Sequence, residues 1–159
     1  MVAFLGLLSS SLWALEPTER SQLTLDHVLV QTSLHTRHFS PDPEHTNQQD
    51  LLGLELHTPS RWLAGAAWFK NSFDQSSVYL YAGRELPIWE SAAGVMLRAK
   101  LTGGLLHGYR GEYRDKIPFN RYEIAPALLP SIGVRWHRFE SDVIVFGTAG
   151  AMLTAGLRF

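Results

Sequence analysis

The chain has 159 residues, a formal net charge of -1 and no cysteine. This length predicts one domain, and the near-neutral charge argues against nucleic-acid binding, which requires a basic surface. The absence of cysteine excludes a disulfide framework, a zinc cluster and a cysteine nucleophile. After the first fifteen residues no apolar run is long enough for a transmembrane helix, so a membrane-spanning form of this chain would have to be a barrel.

The N-terminal stretch MVAFLGLLSSSLWAL is apolar but too short to cross a bilayer. It resembles the hydrophobic region of a secretory signal with cleavage near Ala14, although a positively charged start is missing. Residues 1–14 are therefore predicted to be a signal peptide and residues 15–26 a short N-terminal segment. The alternative is a buried N-terminal segment. Residues 27–159 are predicted to form one β-barrel domain.

Apolar and polar residues alternate with a period of two through this domain, which predicts eight consecutive strands. The expected strands are 27–39, 50–57, 61–70, 77–86, 92–107, 123–136, 140–147 and 150–159. Short and long connections alternate, as in outer-membrane barrels that carry short turns on one rim and long loops on the other. We therefore predict an all-β, eight-stranded antiparallel transmembrane β-barrel of the outer-membrane type, with a water-soluble lipocalin-like barrel as the alternative.

The two faces of the predicted strands differ in polarity. In the second strand Leu52, Leu54 and Leu56 share one face, and polar residues such as Glu55 share the other. Eight strands leave room inside for side chains or one slender ligand, not for an aqueous channel. Because buried charges must pair, we expect an interior plug of ion pairs. Its expected members are Glu55, Glu85, Arg98, Arg135 and Arg158.

The inward face of the fourth strand carries Tyr79, Tyr81 and Gly83 above Glu85. These residues can line a narrow apolar slot in which Gly83 leaves room for the end of a chain. Alternatively, Gly83 only relieves backbone crowding in a curved sheet, which is the interpretation we favour on the residues alone.

Pro126 and Pro130 both fall in the sixth strand, and each removes an amide donor from the ladder. One interpretation is that the strand starts late, at Ser131. The other is that the strand is poorly paired on one side and leaves a lateral gap through which a lipid could enter the barrel.

A possible acyl-transfer site lies at the long-loop rim. His35 is near the end of the first strand, while Asn71 and Ser72 follow the third. A histidine near a serine can act as general base for a hydroxyl nucleophile. Other residues compete for the roles of base and orienting acid: His38 and His45 for the base, and Asp42, Glu44 and Asp74 for the acid.

Four segments in order, SLHTRHF, AAWFKNSF, YAGRE and PALLPSIGV, resemble the PagP-type lipid A palmitoyltransferases of Gram-negative outer membranes. The resemblance covers about residue 27 to Phe159. It implies transfer of a palmitoyl chain from the sn-1 position of a phospholipid to lipid A, without metal or soluble cofactor. It also implies a barrel in the cell outer membrane with its active rim facing the exterior, surrounded by outer-membrane lipids and expected to be a monomer that binds no nucleic acid.

The resemblance assigns roles by position. His35 matches the essential histidine, Ser72 the essential serine and Gly83 the floor of the acyl pocket, while Pro126 and Pro130 match a lateral entrance. Asn71 stands where the family has an acid, so that position only orients other groups, or another acid such as Asp74 serves, or the activity is weak. Rim cations are expected to bind lipid A phosphates or simply to be solvated; they are Arg37, Lys70, Arg110, Arg114 and Lys116.

Two other functions remain open from the sequence. A lipid A deacylase or phospholipase in a barrel would use the same residue types with water as acceptor. A structural or adhesive barrel would have no catalytic site.

Overall fold

The computed structural model describes residues 24–40 and 50–159, which form a closed antiparallel barrel with strands β1 to β8 in sequential order. The predicted eight-stranded all-β fold is confirmed. The strands are β1 His27–His38, β2 Leu51–His57, β3 Trp62–Lys70, β4 Ser76–Glu90, β5 Val95–His107, β6 Ile124–Trp136, β7 Phe139–Val145 and β8 Gly150–Arg158. A 3-10 helix, Gly111–Lys116, lies between β5 and β6.

Some predictions concern residues outside this part of the chain. The signal peptide 1–14, most of the segment 15–26 and the candidate residues Asp42, Glu44 and His45 lie outside the described residues. Within 24–40 and 50–159, no helix is long and apolar enough to cross a bilayer.

The connections separate the barrel into two rims, as predicted. Residues 58–61, 91–94 and 137–138 form the short-turn rim, while the described residues 39–40 and 50, together with 71–75, 108–123 and 146–149, form the loop rim. The fourth strand continues beyond its predicted end at residue 86, to Glu90, with a bulge between Pro87 and Trp89. Bulges are places where a strand tolerates proline, which cannot donate to the ladder, and this explains the longer strand.

Large apolar side chains cover the outside of the barrel on every strand, and we call this surface the apolar belt. In β2, Leu52, Leu54 and Leu56 are exposed while Glu55 and His57 are buried, so the predicted faces are confirmed. Contiguous apolar surface of this extent marks contact with a membrane or a partner. Other exposed members of the belt are Val30, Leu34, Trp62, Trp68, Leu80, Leu86, Ile88, Trp89, Leu101, Leu105, Leu128, Ile132, Val134, Trp136, Phe139, Val143, Leu153 and Leu157.

Ion pairs fill the half of the barrel next to the short-turn rim, and the predicted plug is confirmed. Arg98 is fully buried and donates to Glu85 Oε2 at 3.1 Å, Glu140 Oε2 at 2.6 Å and Asp142 Oδ2 at 3.0 Å. Three members were not among those predicted: Lys100, Glu140 and Asp142. The charged plug comprises Glu55, Glu85, Arg98, Lys100, Arg135, Glu140, Asp142 and Arg158.

The sixth strand is paired fully on one side only. It pairs with β5 from Ile124 to Trp136 but with β7 only from Ser131 onward. The interpretation that the strand starts late is therefore wrong, and one-sided pairing is confirmed. We call the unpaired edge, residues 124–130 facing the β7–β8 connection 146–149, the lateral gap.

Candidate functional site

A cavity of about 510 Å³ lies between the charged plug and the loop rim. Its volume falls within the roughly 300–1,000 Å³ typical of ligand pockets. At the plug end it is bounded by Gln31, Glu55, Tyr81 and Lys100. Most of its wall is apolar, so a slender hydrophobic ligand fits its chemistry. The apolar wall includes Leu51, Ala67, Phe69, Leu106, Ala127, Leu129, Ile144 and Met152.

The cavity opens sideways through the lateral gap. It is lined by the inward residue Ala127 and also by the outward residues Pro126 and Leu128, which a closed wall would separate from the interior. Across the gap it contacts Phe146 and Gly147. A ligand can therefore extend from the inside of the barrel to the apolar belt.

Interior hydroxyls bond to the strand that borders the gap. Tyr79 Oη donates to the carbonyl of Ala127 and Thr102 Oγ1 to the carbonyl of Leu129, each at 3.2 Å. These bonds hold the half-paired part of β6 in place. Of the two prolines, Pro126 lines the cavity and Pro130 immediately precedes the first residue paired with β7.

A histidine and a serine meet at the loop-rim end of the cavity, which we call its mouth. The histidine is His38. Its Nε2 lies 2.7 Å from Ser72 Oγ, and both residues line the cavity. His35, the histidine predicted for this role, is exposed on the outer face of β1. The catalytic role of His35 stays a prediction without support from this geometry.

A bulge explains why the two histidines exchange faces. Ser33 pairs with Thr154 and His35 with Leu153, so Leu34 is an extra residue in β1. An extra residue reverses the inward and outward alternation beyond it. Without the bulge His35 would point inward; with it, His38 does.

Asn71 organises the loop that carries Ser72. Its side chain is buried; Oδ1 accepts from the amides of Phe73 at 2.9 Å and Gln75 at 3.0 Å. Its Nδ2 donates to the Gly108 carbonyl at 3.4 Å, which ties this loop to the connection after β5. This geometry fits the positional role considered for Asn71. Asp74, the alternative acid, is exposed and pairs with Lys70 at 3.4 Å.

The predicted residues of β4 all lie on its inner face, but only two of them line the cavity. Tyr79 and Tyr81 stack with ring centroids 4.6 Å apart and line the cavity. Gly83 lies on the inner face beyond Tyr81 and is not part of the cavity wall. A Cβ at Gly83 would overlap the carbonyl oxygen of Leu101, so this glycine allows close strand packing, as the alternative interpretation held.

The cations predicted to bind phosphate also differ in position. Arg37 is exposed on the outer face of β1, and neither Arg37 nor Lys70 lines the cavity. Lys116 does line it, with Nζ 5.6 Å from the centroid of the Phe73 ring. Of the five predicted rim cations, Lys116 is therefore the one positioned to contact the polar end of a ligand in the cavity.

Tyr109 was not predicted as a site residue, yet its side chain is hydrogen-bonded to Ser72 and lines the cavity. Burial raises the pKa of Tyr109 above its ordinary value. Residues 37 positions apart in sequence make this contact through loop packing: Phe73 stacks on Tyr113 with ring centroids 4.0 Å apart. No local pattern in the sequence signals such a contact.

The site therefore consists of a serine hydroxyl, a histidine and a tyrosine at the mouth of an apolar cavity. Such a hydroxyl can be activated for attack on an ester or can position a second hydroxyl for the same attack. Within residues 24–40 and 50–159 no group of three or more His, Asp or Glu residues is placed to hold a metal ion. Comparison of the chain with known protein-family models and with curated proteins finds no match.

Proposed function

We propose that this protein is an outer-membrane acyltransferase that moves a palmitoyl chain from the sn-1 position of a phospholipid to lipid A. The observation that carries the proposal is the 2.7 Å contact between His38 Nε2 and Ser72 Oγ at the mouth of a laterally open apolar cavity. A soluble substrate would need no lateral gap, whereas a bilayer lipid can insert one chain through it.

The apolar belt supports a membrane location. Exposing each Å² of this apolar surface to water costs about 25 cal/mol of free energy, and contact with lipid chains removes that cost. Tryptophans stand near the short-turn rim, where amphipathic rings favour the interface between bilayer and water; they are Trp62, Trp89 and Trp136. The long loops and the site would then face the cell exterior, next to lipid A.

The first half of the reaction removes the chain from the donor. His38 Nε2 accepts the proton of Ser72, and Ser72 Oγ attacks the ester carbonyl of the phospholipid. The bond between the carbonyl carbon and the glycerol oxygen breaks. His38 returns the proton to that oxygen, so a lysophospholipid leaves and the palmitoyl chain remains on Ser72.

In the second half, a hydroxyl of lipid A gives its proton to His38 and attacks the acyl-serine. The bond to Ser72 Oγ breaks, and His38 returns the proton to Ser72. Lys116 lines the cavity, and we assign it the contact with a lipid phosphate, because cationic side chains bind phosphate well. If water replaced the lipid A hydroxyl, the same residues would carry out hydrolysis.

Expression in a Gram-negative host that lacks its own lipid A palmitoyltransferase tests the function. Mass spectrometry of the extracted lipid A should show a gain of one palmitoyl mass. Loss of an acyl chain, or release of lysophospholipid and free fatty acid with unchanged lipid A, would identify a hydrolase. An unchanged lipid profile would favour a non-catalytic barrel.

The two histidines of β1 form a matched pair for testing the site. His38→Ala should lower the transfer rate by about 100- to 10,000-fold, the range for loss of a general base, and Ser72→Ala, which removes the nucleophile, should lower it at least as much. His35→Ala should leave the rate near that of the unaltered protein, because His35 is on the outer face. If His35→Ala abolished transfer and His38→Ala did not, the assignment to His38 would be wrong.

A further inference from the structure

We propose that Tyr109 is a positioning residue that directs the Ser72 proton toward His38. This inference rests on the proposed function of Ser72 as nucleophile and adds a third residue to the site.

The backbone around Tyr109 is held in place from two directions. The carbonyl of the preceding Gly108 accepts from Asn71 Nδ2 at 3.4 Å, and the carbonyl of Tyr109 itself accepts from Asn120 Nδ2 at 3.0 Å. The Tyr109 ring contacts Phe73 edge-on, with centroids 6.2 Å apart. These contacts come from the neighbouring loop 71–75 and from within the loop 108–123, so they hold Tyr109 next to the segment that carries Ser72.

Because a serine hydroxyl carries one proton, the direction of the Tyr109–Ser72 hydrogen bond determines whether that proton can point at His38. A serine hydroxyl donates one hydrogen bond and accepts up to two. A phenol has an ordinary pKa of about 10, so Tyr109 is protonated at neutral pH and can donate a hydrogen bond. When Tyr109 donates to Ser72 Oγ, the single serine proton is left for His38 Nε2 at 2.7 Å.

The hydrogen bond donated by Tyr109 also stabilises the negative charge that develops on Ser72 Oγ during the reaction. Negative charge develops on Ser72 Oγ while its proton moves to His38, and a hydrogen bond from Tyr109 to that oxygen becomes stronger as the charge grows. A group whose bond strengthens during the reaction raises the rate of the chemical step rather than the affinity for the ligand.

The test compares Tyr109→Phe with the control Tyr113→Phe. Both remove a phenol oxygen from the loop 108–123 and keep an aromatic ring, but Tyr113 is stacked on Phe73 and is not part of the cavity wall. The readout is labelling of the purified protein in detergent micelles by an alkyl fluorophosphonate. The Ser72 Oγ–P bond forms, the P–F bond breaks, fluoride leaves and the serine proton passes to His38.

We expect Tyr109→Phe to lower the maximal labelling rate by about 10- to 100-fold, the cost of a misplaced reacting group. The probe concentration for half-maximal rate and the unfolding midpoint should be unchanged, and Tyr113→Phe should label at the wild-type rate. Unchanged labelling by Tyr109→Phe would overturn the inference. So would a lowered unfolding midpoint, since Tyr109 would then be a structural residue.

This experiment separates the inference from the proposed function. Labelling that depends on Tyr109, together with unchanged lipid A in cells, would retain the role of Tyr109 and refute acyl transfer to lipid A. If the wild-type protein transfers palmitate but Ser72 is not labelled, the transfer function stands and the inference about Tyr109 fails.

Discussion

Replacing Arg98 by methionine should destabilise the barrel more than any other single change in the charged plug. Arg98 is fully buried and donates to three carboxylates, those of Glu85, Glu140 and Asp142. Methionine has an unbranched side chain that fills similar space but cannot donate. The perturbation therefore removes the central cation and leaves the acids in place.

The charge balance of the plug sets the size of the effect. Four cations, Arg98, Lys100, Arg135 and Arg158, are paired with four carboxylates, Glu55, Glu85, Glu140 and Asp142. Removing one partner of a buried ion pair costs about 3–5 kcal/mol. Each acid that contacts Arg98 keeps another cation at 3.1 to 3.4 Å, so we expect about 3 kcal/mol, the lower end of that range.

Urea unfolding in detergent micelles, followed by tryptophan fluorescence, measures this loss, because the chain contains 5 tryptophans. With a urea m-value of about 1–3 kcal/mol/M, a loss of about 3 kcal/mol lowers the midpoint by about 1–3 M. The His38–Ser72 site lies at the other end of the barrel, so any protein that remains folded should keep its cavity.

The double variant Arg98→Met with Glu140→Gln is the control. It restores equal numbers of cations and carboxylates and removes both partners of the 2.6 Å contact. It should recover about 1–3 kcal/mol relative to the sum of the single variants, as expected for groups in direct contact. A wild-type unfolding midpoint for Arg98→Met, or simple addition of the effects of the two changes, would contradict the central role of Arg98 in the plug.

Two further predictions test residues whose roles the structure reassigns. Asn71→Ala should slow transfer by about 10- to 100-fold, because Ser72 would be misplaced. Asn71→Asp keeps the acceptor oxygens and should retain more activity. Initial rates of lipid A acylation measure both, and equal rates for the two variants would exclude the positional role. Gly83→Ala should lower the urea midpoint by an amount equivalent to about 1–3 kcal/mol, because its Cβ would overlap the Leu101 carbonyl oxygen. If instead the midpoint is unchanged and mass spectrometry shows a shorter acyl chain on lipid A, Gly83 is the pocket floor.

Much of the barrel follows from local pattern. Alternation with period two depends only on neighbouring residues, so the sequence predicts the strands, their inward and outward faces and the polarity of the interior. Glu55 and Leu54 are adjacent and necessarily face opposite sides. The boundaries were less predictable: β4 continues past Pro87 because its pairing with β5 absorbs a bulge there.

The residues of the site could not all be predicted, because their positions depend on contacts between segments that are distant in sequence. HTRH places two histidines three residues apart, so one faces inward and the other outward; a regular strand would turn His35 inward, and the sequence alone does not show the bulge that reverses this. The extra residue Leu34 decides, and its position is set by the pairing of β1 with β8. One inserted residue exchanges the two faces of a strand, so the choice of His38 over His35 is a tertiary property.

Local alternation was therefore enough to predict a barrel with an apolar outside and a charged interior, since both depend on the side-chain period of a strand. The folded chain was needed to show which histidine contacts Ser72, that Tyr109 joins them and that residues 124–130 of β6 lack a partner on one side, next to a cavity. The physical reason is that each of these depends on where a second segment pairs or packs, and that position is not encoded in the local alternation of either segment.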